Sequence, residues 1–152
     1  MGMLLLLSNS SQSEHSFTGD FTVSSVWASY SGHLAGGLRD GLLVGASSVW
    51  ASQLSASEWI KADLGSVVLV NDVEIGSINI AFEGWGASFT NGRLLQISTD
   101  GSSWTTIATL ADHYDDTINT YAINASARYV RILYSGGGGY LSVGEFRINY
   151  LA

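Results

Sequence analysis

From Phe21 onward the chain alternates short apolar runs with clusters of glycine, serine, asparagine and aspartate. Antiparallel sandwiches leave this pattern, because each strand is brief and each turn needs small or polar residues. Residues 59–64 predict one strand, and residues 73–75 and 78–82 predict two more. Residues 94–99 run into Asp100-Gly101, a pair suited to a tight hairpin, and residues 104–110 form the returning strand. Residues 120–123, 128–134 and 145–150 complete the set. Within 128–134, arginine alternates with valine, so one face is polar and the other apolar, as in a half-buried antiparallel strand. No long amphipathic helix pattern intervenes. The fold class is therefore all-β, a sandwich or barrel.

Before Phe21 the pattern changes. Residues 8–20 are polar and serine-rich and read as a loop or arm. Leu4 to Leu7 read as a short opening strand or interface segment. Four leucines without a preceding positive charge are too few for a signal-peptide core, and a membrane span needs about 20 apolar residues. The expected division is an N-terminal strand or arm over 1–19 and one sandwich domain over 20–152. Ser24-Ser25-Val26-Trp27-Ala28-Ser29 recurs as Ser47-Ser48-Val49-Trp50-Ala51-Ser52. Two copies do not make a solenoid, and the repeat reads as coincidence or local duplication.

Composition narrows the function classes. The chain has 152 residues, 46% hydrophobic and 12% charged, which fits a folded domain and excludes disorder. Proline is absent, so turns fall to Gly, Asn, Asp and Ser. Six basic residues against thirteen acidic ones give a net charge of -7. No basic stripe exists for nucleic acid, and an anionic membrane is disfavoured on the same ground. The absence of cysteine excludes disulfides, zinc-thiolate sites and cysteine nucleophiles.

Several motifs occur in a telling order. Ser24-Ser25 is followed by Asp40-Gly41, Ser48-Val49-Trp50 and Trp59-Ile60-Lys61-Ala62-Asp63-Leu64-Gly65. Later come Ser98-Thr99-Asp100-Gly101-Ser102-Ser103-Trp104, Ala127-Arg128-Tyr129-Val130-Arg131-Ile132 and Ser142-Val143-Gly144-Glu145-Phe146. Over residues 20–150 this set resembles the discoidin, or coagulation-factor C-type (F5/8 type C), family, which includes the family 32 carbohydrate-binding modules. The resemblance implies a discoidin-like jelly-roll β-sandwich of about eight antiparallel strands, with ligands held by loops at one end. Trp59 and Trp104 lie within apolar strand patterns and are expected in the core. Asp63 is expected to accept backbone hydrogen bonds or pair with an arginine, with Arg128 and Arg131 as partners or solvent-facing.

The resemblance also implies calcium near the Asp-Gly loop, with Asp40, Ser48 and Glu145 as ligands. Calcium takes about six to eight oxygens. The loop after Gly41 is long and lacks a further Asn or Asp, so a metal-free loop closed by hydrogen bonds is the alternative. A neutral sugar needs an aromatic face and a few directed polar groups. Three loops offer them: residues 30–33, 83–93 and 135–140. Trp85, flanked by glycines, is the candidate platform; otherwise it caps the core or joins a subunit contact. His33, Asn91, Arg93 and Tyr140 are the candidate polar and aromatic contacts. Asp112-His113-Tyr114-Asp115-Asp116 reads as a solvated acidic loop in preference to a metal site.

Catalysis finds no support, since neither a Gly-x-Ser-x-Gly elbow nor a His-Glu-x-x-His motif is present. The expected function is a non-catalytic, lectin-like glycan-binding domain for galactose-type sugars, with calcium as a supporting cofactor. Its expected partner is a glycan or cell-surface polysaccharide, outside the cell or on a virion surface. The competing expectation is a decoration or fibre protein that assembles as a homo-oligomer, or with a host structural protein, through its sandwich and N-terminal segment. Deleting Leu4 to Leu7 separates the two.

Overall fold

The structure is a computed structural model that describes residues 12–152. Leu4 to Leu7 lie outside the described residues. The described chain forms nine strands: β1 (Glu14–Ser16), β2 (Thr22–Val23), β3 (Trp50–Ala51), β4 (Glu58–Gly76), β5 (Leu94–Ser98), β6 (Thr105–Thr109), β7 (Ile118–Tyr134), β8 (Ser142–Val143) and β9 (Glu145–Leu151). Its helical elements are two single 3-10 turns, Gly37–Arg39 and Ala87–Phe89. All pairings are antiparallel, in the order β1-β9-β4-β7-β5-β6, with β2 added on β4, and β3 pairs separately with β8. The architecture is the expected all-β jelly-roll sandwich.

Two long strands make the sandwich. β4 and β7 pair from Glu58↔Tyr134 to Gly76↔Ile118, with register shifts between Asp63 and Val68 and between Val70 and Asp72. Before the first shift β4 and β7 belong to the layer that continues into β5 and β6; after it β4 pairs with β9 in the other. Asp63 fixes the bend. Its Oδ1 accepts from Gly65 N at 2.8 Å, and Gly65 sits at φ 86, where glycine escapes the Cβ clash. Arg128 Nε donates to the same carboxylate at 2.8 Å, as expected of this residue pair. Between the layers, Ile60, Ile75, Leu95, Ile132, Phe146 and Ile148 have no exposed surface. Burying a side chain of this size contributes about 1.5–3 kcal/mol.

The structure departs from the sequence reading at four places. Residues 78–82 are a turn: Asn79 Oδ1 accepts from Ala81 N at 2.9 Å and its carbonyl from Phe82 N at 2.9 Å, reversing the chain. A short polar side chain has here replaced the strand ladder with local bonds. Residues 120–123 and 128–134 are one strand rather than two, passing through Asn124 at φ 50. Within the expected polar arm, Glu14–Ser16 pairs with β9, and Phe17 joins the core.

Trp59 and Trp104 form the fourth departure. They stand half-buried on the outer face, because alternation sends Ile60 and Ala62 inward. Lys61 Nζ lies 5.0 Å above the Trp59 ring and Arg131 Cζ 3.8 Å above that of Trp104. A cation on the ring face is worth about 0.5–2 kcal/mol and lets a tryptophan rest outside the core.

Candidate functional site

The loops between β2 and β3, β4 and β5, and β7 and β8 leave from the end opposite the β4 bend. Here a second apolar cluster forms around Tyr30, Val49, Ala51, Ile78 and Trp85, with Phe82, Phe89 and Tyr140 packed against it. It walls a cleft of about 330 Å³ lined by Trp27, Glu83, Gly84, Trp85, Phe89 and Tyr140. The rings meet edge to face: Trp27 to Tyr140 at 5.6 Å between centroids, Trp85 to Tyr140 at 5.4 Å, and Trp85 to Phe89 at 5.2 Å. This geometry sets the positive edge of one ring against the negative face of the next.

A hydrogen-bond relay holds the cleft wall. Trp85 Nε1 donates to Tyr30 Oη at 3.0 Å, and Tyr30 Oη donates to Glu83 Oε2. Tyr30 is 2% exposed, and its phenol is pushed up to about 12 by burial and by the neighbouring Glu83 carboxylate, so it remains a donor. Glu83 itself sits at φ 56, a left-handed conformation that costs a residue with a side chain roughly 1–2 kcal/mol.

Of the candidate contacts, Trp85 and Tyr140 line this cleft. Trp85 is 7% exposed, so it forms the floor rather than an open platform. The exposed ring is Trp27, at 36%. Sequence reasoning passed over Trp27, and no local signal was available, since its hexapeptide recurs at residues 47–52. Arg93 stands behind the cleft. Its Nη1 donates to Asn91 O at 3.0 Å, its Nη2 to Tyr140 O, and its Cζ lies 4.3 Å from the Tyr134 ring centroid. Asn91 spends its amide on His113: Nδ2 donates to His113 O at 3.2 Å and Oδ1 accepts His113 N at 3.0 Å. His33 is half-buried on the 30–40 loop, its pKa lowered by burial. It adjoins a second hollow lined by Ser31, Leu34 and Asp40 among others.

The acidic loop is not simply solvated. His113 is 1% exposed with Nε2 2.7 Å from Tyr121 Oη, while Asp115 and Asp116 accept from Ile80 N and Asn79 Nδ2. These bonds fasten the 78–85 turn that carries Glu83 and Trp85.

Asp40, Ser48 and Glu145 are brought into one network. Ser48 Oγ donates to Asp40 Oδ2 at 2.6 Å, Leu42 N to Asp40 Oδ1 at 2.9 Å, and Gly41 N to Glu145 Oε2 at 3.0 Å. Arg147 Nε lies 2.6 Å from Glu145 Oε1 as an ion pair. Glu145 is fully buried, and burial raises its pKa while Arg147 pulls it down. Among the described residues no three His, Cys, Asp or Glu side chains are grouped to hold a metal. A calcium cage needs oxygens free to turn toward the ion. Here they accept from N–H and O–H groups, and a guanidinium faces Glu145. The residues as arranged do not fit calcium.

The family model for the NedA-like, galactose-binding domain of the F5/8 type C kind matches residues 37–132. The chain belongs to this family. A comparison with curated protein sequences finds no match. Among solved structures, this galactose-binding-like domain is similar to a fucose-binding module of Streptococcus pneumoniae, with TM-score 0.66 and 17% identity over 87% of this chain and 91% of that one. It is similar to the family 32 module of Clostridium perfringens NanJ in complex with galactose, with TM-score 0.65 and 14% identity over 90% and 98%. A chitosan-binding module from a Paenibacillus chitosanase/glucanase aligns with TM-score 0.58 and 25% identity over 86% and 94%.

Proposed function

We propose that this galactose-binding-like domain is a non-catalytic glycan-binding module, and that the aromatic cleft at the loop end is where the glycan sits. The carrying observation is Trp27, exposed at the rim of a cleft whose other rings are already packed. The C–H face of a pyranose rests on an aromatic ring, and hydroxyls reach nearby polar groups. Glu83 and the Tyr140 phenol supply those groups. A galactose-type ring suits the cleft, because its axial hydroxyl leaves one side apolar. Family membership supports the class, and the neighbours' ligands (galactose, fucose, chitosan) support glycan binding in general. Such a module acts where glycans are displayed, outside the cell or on a surface.

In this reading Trp27, Trp85 and Tyr140 touch the sugar. Arg93 and Asn91 act through the loops they hold, and His33 lies by the second hollow instead of the cleft. The Asp40–Ser48–Glu145 network closes its loop by hydrogen bonds, so binding is independent of calcium. A glycan array with the purified, clustered protein, run in calcium and again in chelator, tests this. Equal binding to a galactose-bearing set in both buffers, lost in Trp27→Ala, is expected. No binding in either buffer would overturn the reading, and binding lost only in chelator would overturn its metal-free part.

A further inference from the structure

The chain's six basic residues are Arg39, Lys61, Arg93, Arg128, Arg131 and Arg147. Five lie over aromatic rings: Arg39 over Phe17 and Phe21, Lys61 over Trp59, Arg93 over Tyr134, Arg128 over Tyr129 and Arg131 over Trp104. The sixth, Arg147, faces Glu145. The protein thus habitually sets its own cations on aromatic faces. The loop-end cleft breaks this habit. Its walls are Trp27, Trp85, Phe89 and Tyr140, and none of the six basic residues lines it.

What lines it instead is a carboxylate. Glu83 Oε2 accepts the Tyr30 hydroxyl, and Oε1 has no hydrogen-bond partner among the described residues. Glu83 keeps this place on a left-handed backbone that favours glycine, which Gly84 beside it also adopts at φ 80. An exposed indole beside an open carboxylate attracts a cation twice, through the ring quadrupole and through charge. The net charge of -7 adds a long-range pull on a polycation.

Resting on the glycan reading above, we infer that the cleft selects amino sugars bearing a free ammonium group, with the ring on Trp27 and the ammonium on Glu83 Oε1. An N-acetylated sugar of the same ring carries no charge for Glu83 to meet.

Calorimetric titration at mildly acidic pH compares a galactosamine trimer with its fully N-acetylated counterpart. Wild type is expected to bind the free-amine trimer at least about tenfold more tightly. Glu83→Gln keeps an acceptor for Tyr30 and removes the charge; it should bring the two ligands within about threefold of each other. Trp27→Ala should lose both. Equal or weaker binding of the free-amine trimer by wild type would overturn the inference, as would a preference that survives in Glu83→Gln. If neutral glycans bind on the array and the amine brings no gain, this inference alone fails. If no glycan binds at all, the glycan reading fails with it. Thermal unfolding of each variant confirms that its fold is kept.

Discussion

Residues 24–29 and 47–52 carry the same six side chains, Ser-Ser-Val-Trp-Ala-Ser, and adopt different structures. In the second copy Val49, Trp50 and Ala51 have no exposed surface, and Trp50 and Ala51 form β3 against Val143 and Ser142. In the first copy no strand forms, Trp27 is 36% exposed, and Ala28 turns the chain at φ 49. The two copies touch: Trp27 N donates to Ala51 O at 2.8 Å, and Trp50 Nε1 to Ser25 O at 3.0 Å. The partners differ. The second copy finds β8, while in the first Ser24 Oγ and Ser25 Oγ both donate to Glu58 Oε2, which pins them to the start of β4. Local sequence therefore leaves the fate of a tryptophan open, and the neighbour decides it. One copy builds the core and the other opens the candidate site.

The largest effect that tests this contrast is Trp50→Ala. A fully buried indole lost from the core costs about 3–5 kcal/mol. For a domain of this size that lowers Tm by roughly 6–20 °C. Urea unfolding reads the loss directly, and a change below about 1 kcal/mol would refute the assignment of the two roles. Trp27→Ala comes next and divides its effect the other way. Edge contacts to Trp85 and Tyr140 are worth about 0.5–1.5 kcal/mol each, so the stability loss stays within about 1–3 kcal/mol. Glycan affinity, measured by calorimetry, should fall by about thirtyfold or more, as for a central aromatic contact.

A smaller contrast lies at the last serine of each copy. Ser52 is buried; its Oγ donates to Gln53 O at 2.8 Å and accepts Leu141 N at 2.9 Å, beside the cleft's Tyr140. Ser52→Ala orphans that buried N–H and costs about 1–3 kcal/mol. Ser29 is exposed, and Ser29→Ala should stay within about 0.5 kcal/mol in the same denaturation experiment.

The fold was legible where local chemistry and tertiary partners agree. Asp100-Gly101 makes its hairpin because Asp100 Oδ1 accepts from Ser102 N and Ser103 N at 2.8 and 2.9 Å, all within the turn itself. Asp63 was expected to accept backbone hydrogen bonds or pair with an arginine, and it does both, with Gly65 N and with Arg128. Where the partner is distant the sequence is silent. Residues 78–82 look like a strand, yet Asn79 reaches Asp116 at 2.9 Å, a partner no local window contains. Trp59 and Trp104 read as core because the cations covering them lie two residues away or on another strand. The loop end was partly legible: three expected segments do converge, through Tyr30, Trp85 and Tyr140. Trp27 was missed because its hexapeptide is also a buried strand's hexapeptide.

The finest break in the comparison is a single methyl in each copy. Ala28 and Ala51 have the same neighbours in sequence, so replacing either with glycine loosens the unfolded chain by nearly the same amount. Any difference between the two variants then reports the native state alone. Ala28 sits at φ 49, where glycine relieves a clash worth roughly 1–2 kcal/mol. Set against the entropy of glycine, Ala28→Gly should lie between neutral and about 1 kcal/mol more stable. Ala51 lies in β3 with its methyl fully buried. Ala51→Gly loses that packing and restrains a freer backbone, costing about 1–2 kcal/mol. Paired urea titrations should therefore place Ala51→Gly below Ala28→Gly by about 2 kcal/mol, with only Ala51→Gly less stable than wild type. If both move equally downward, Ala28 does not hold its left-handed turn in solution, and the geometry that aims Trp27 into the cleft falls with it.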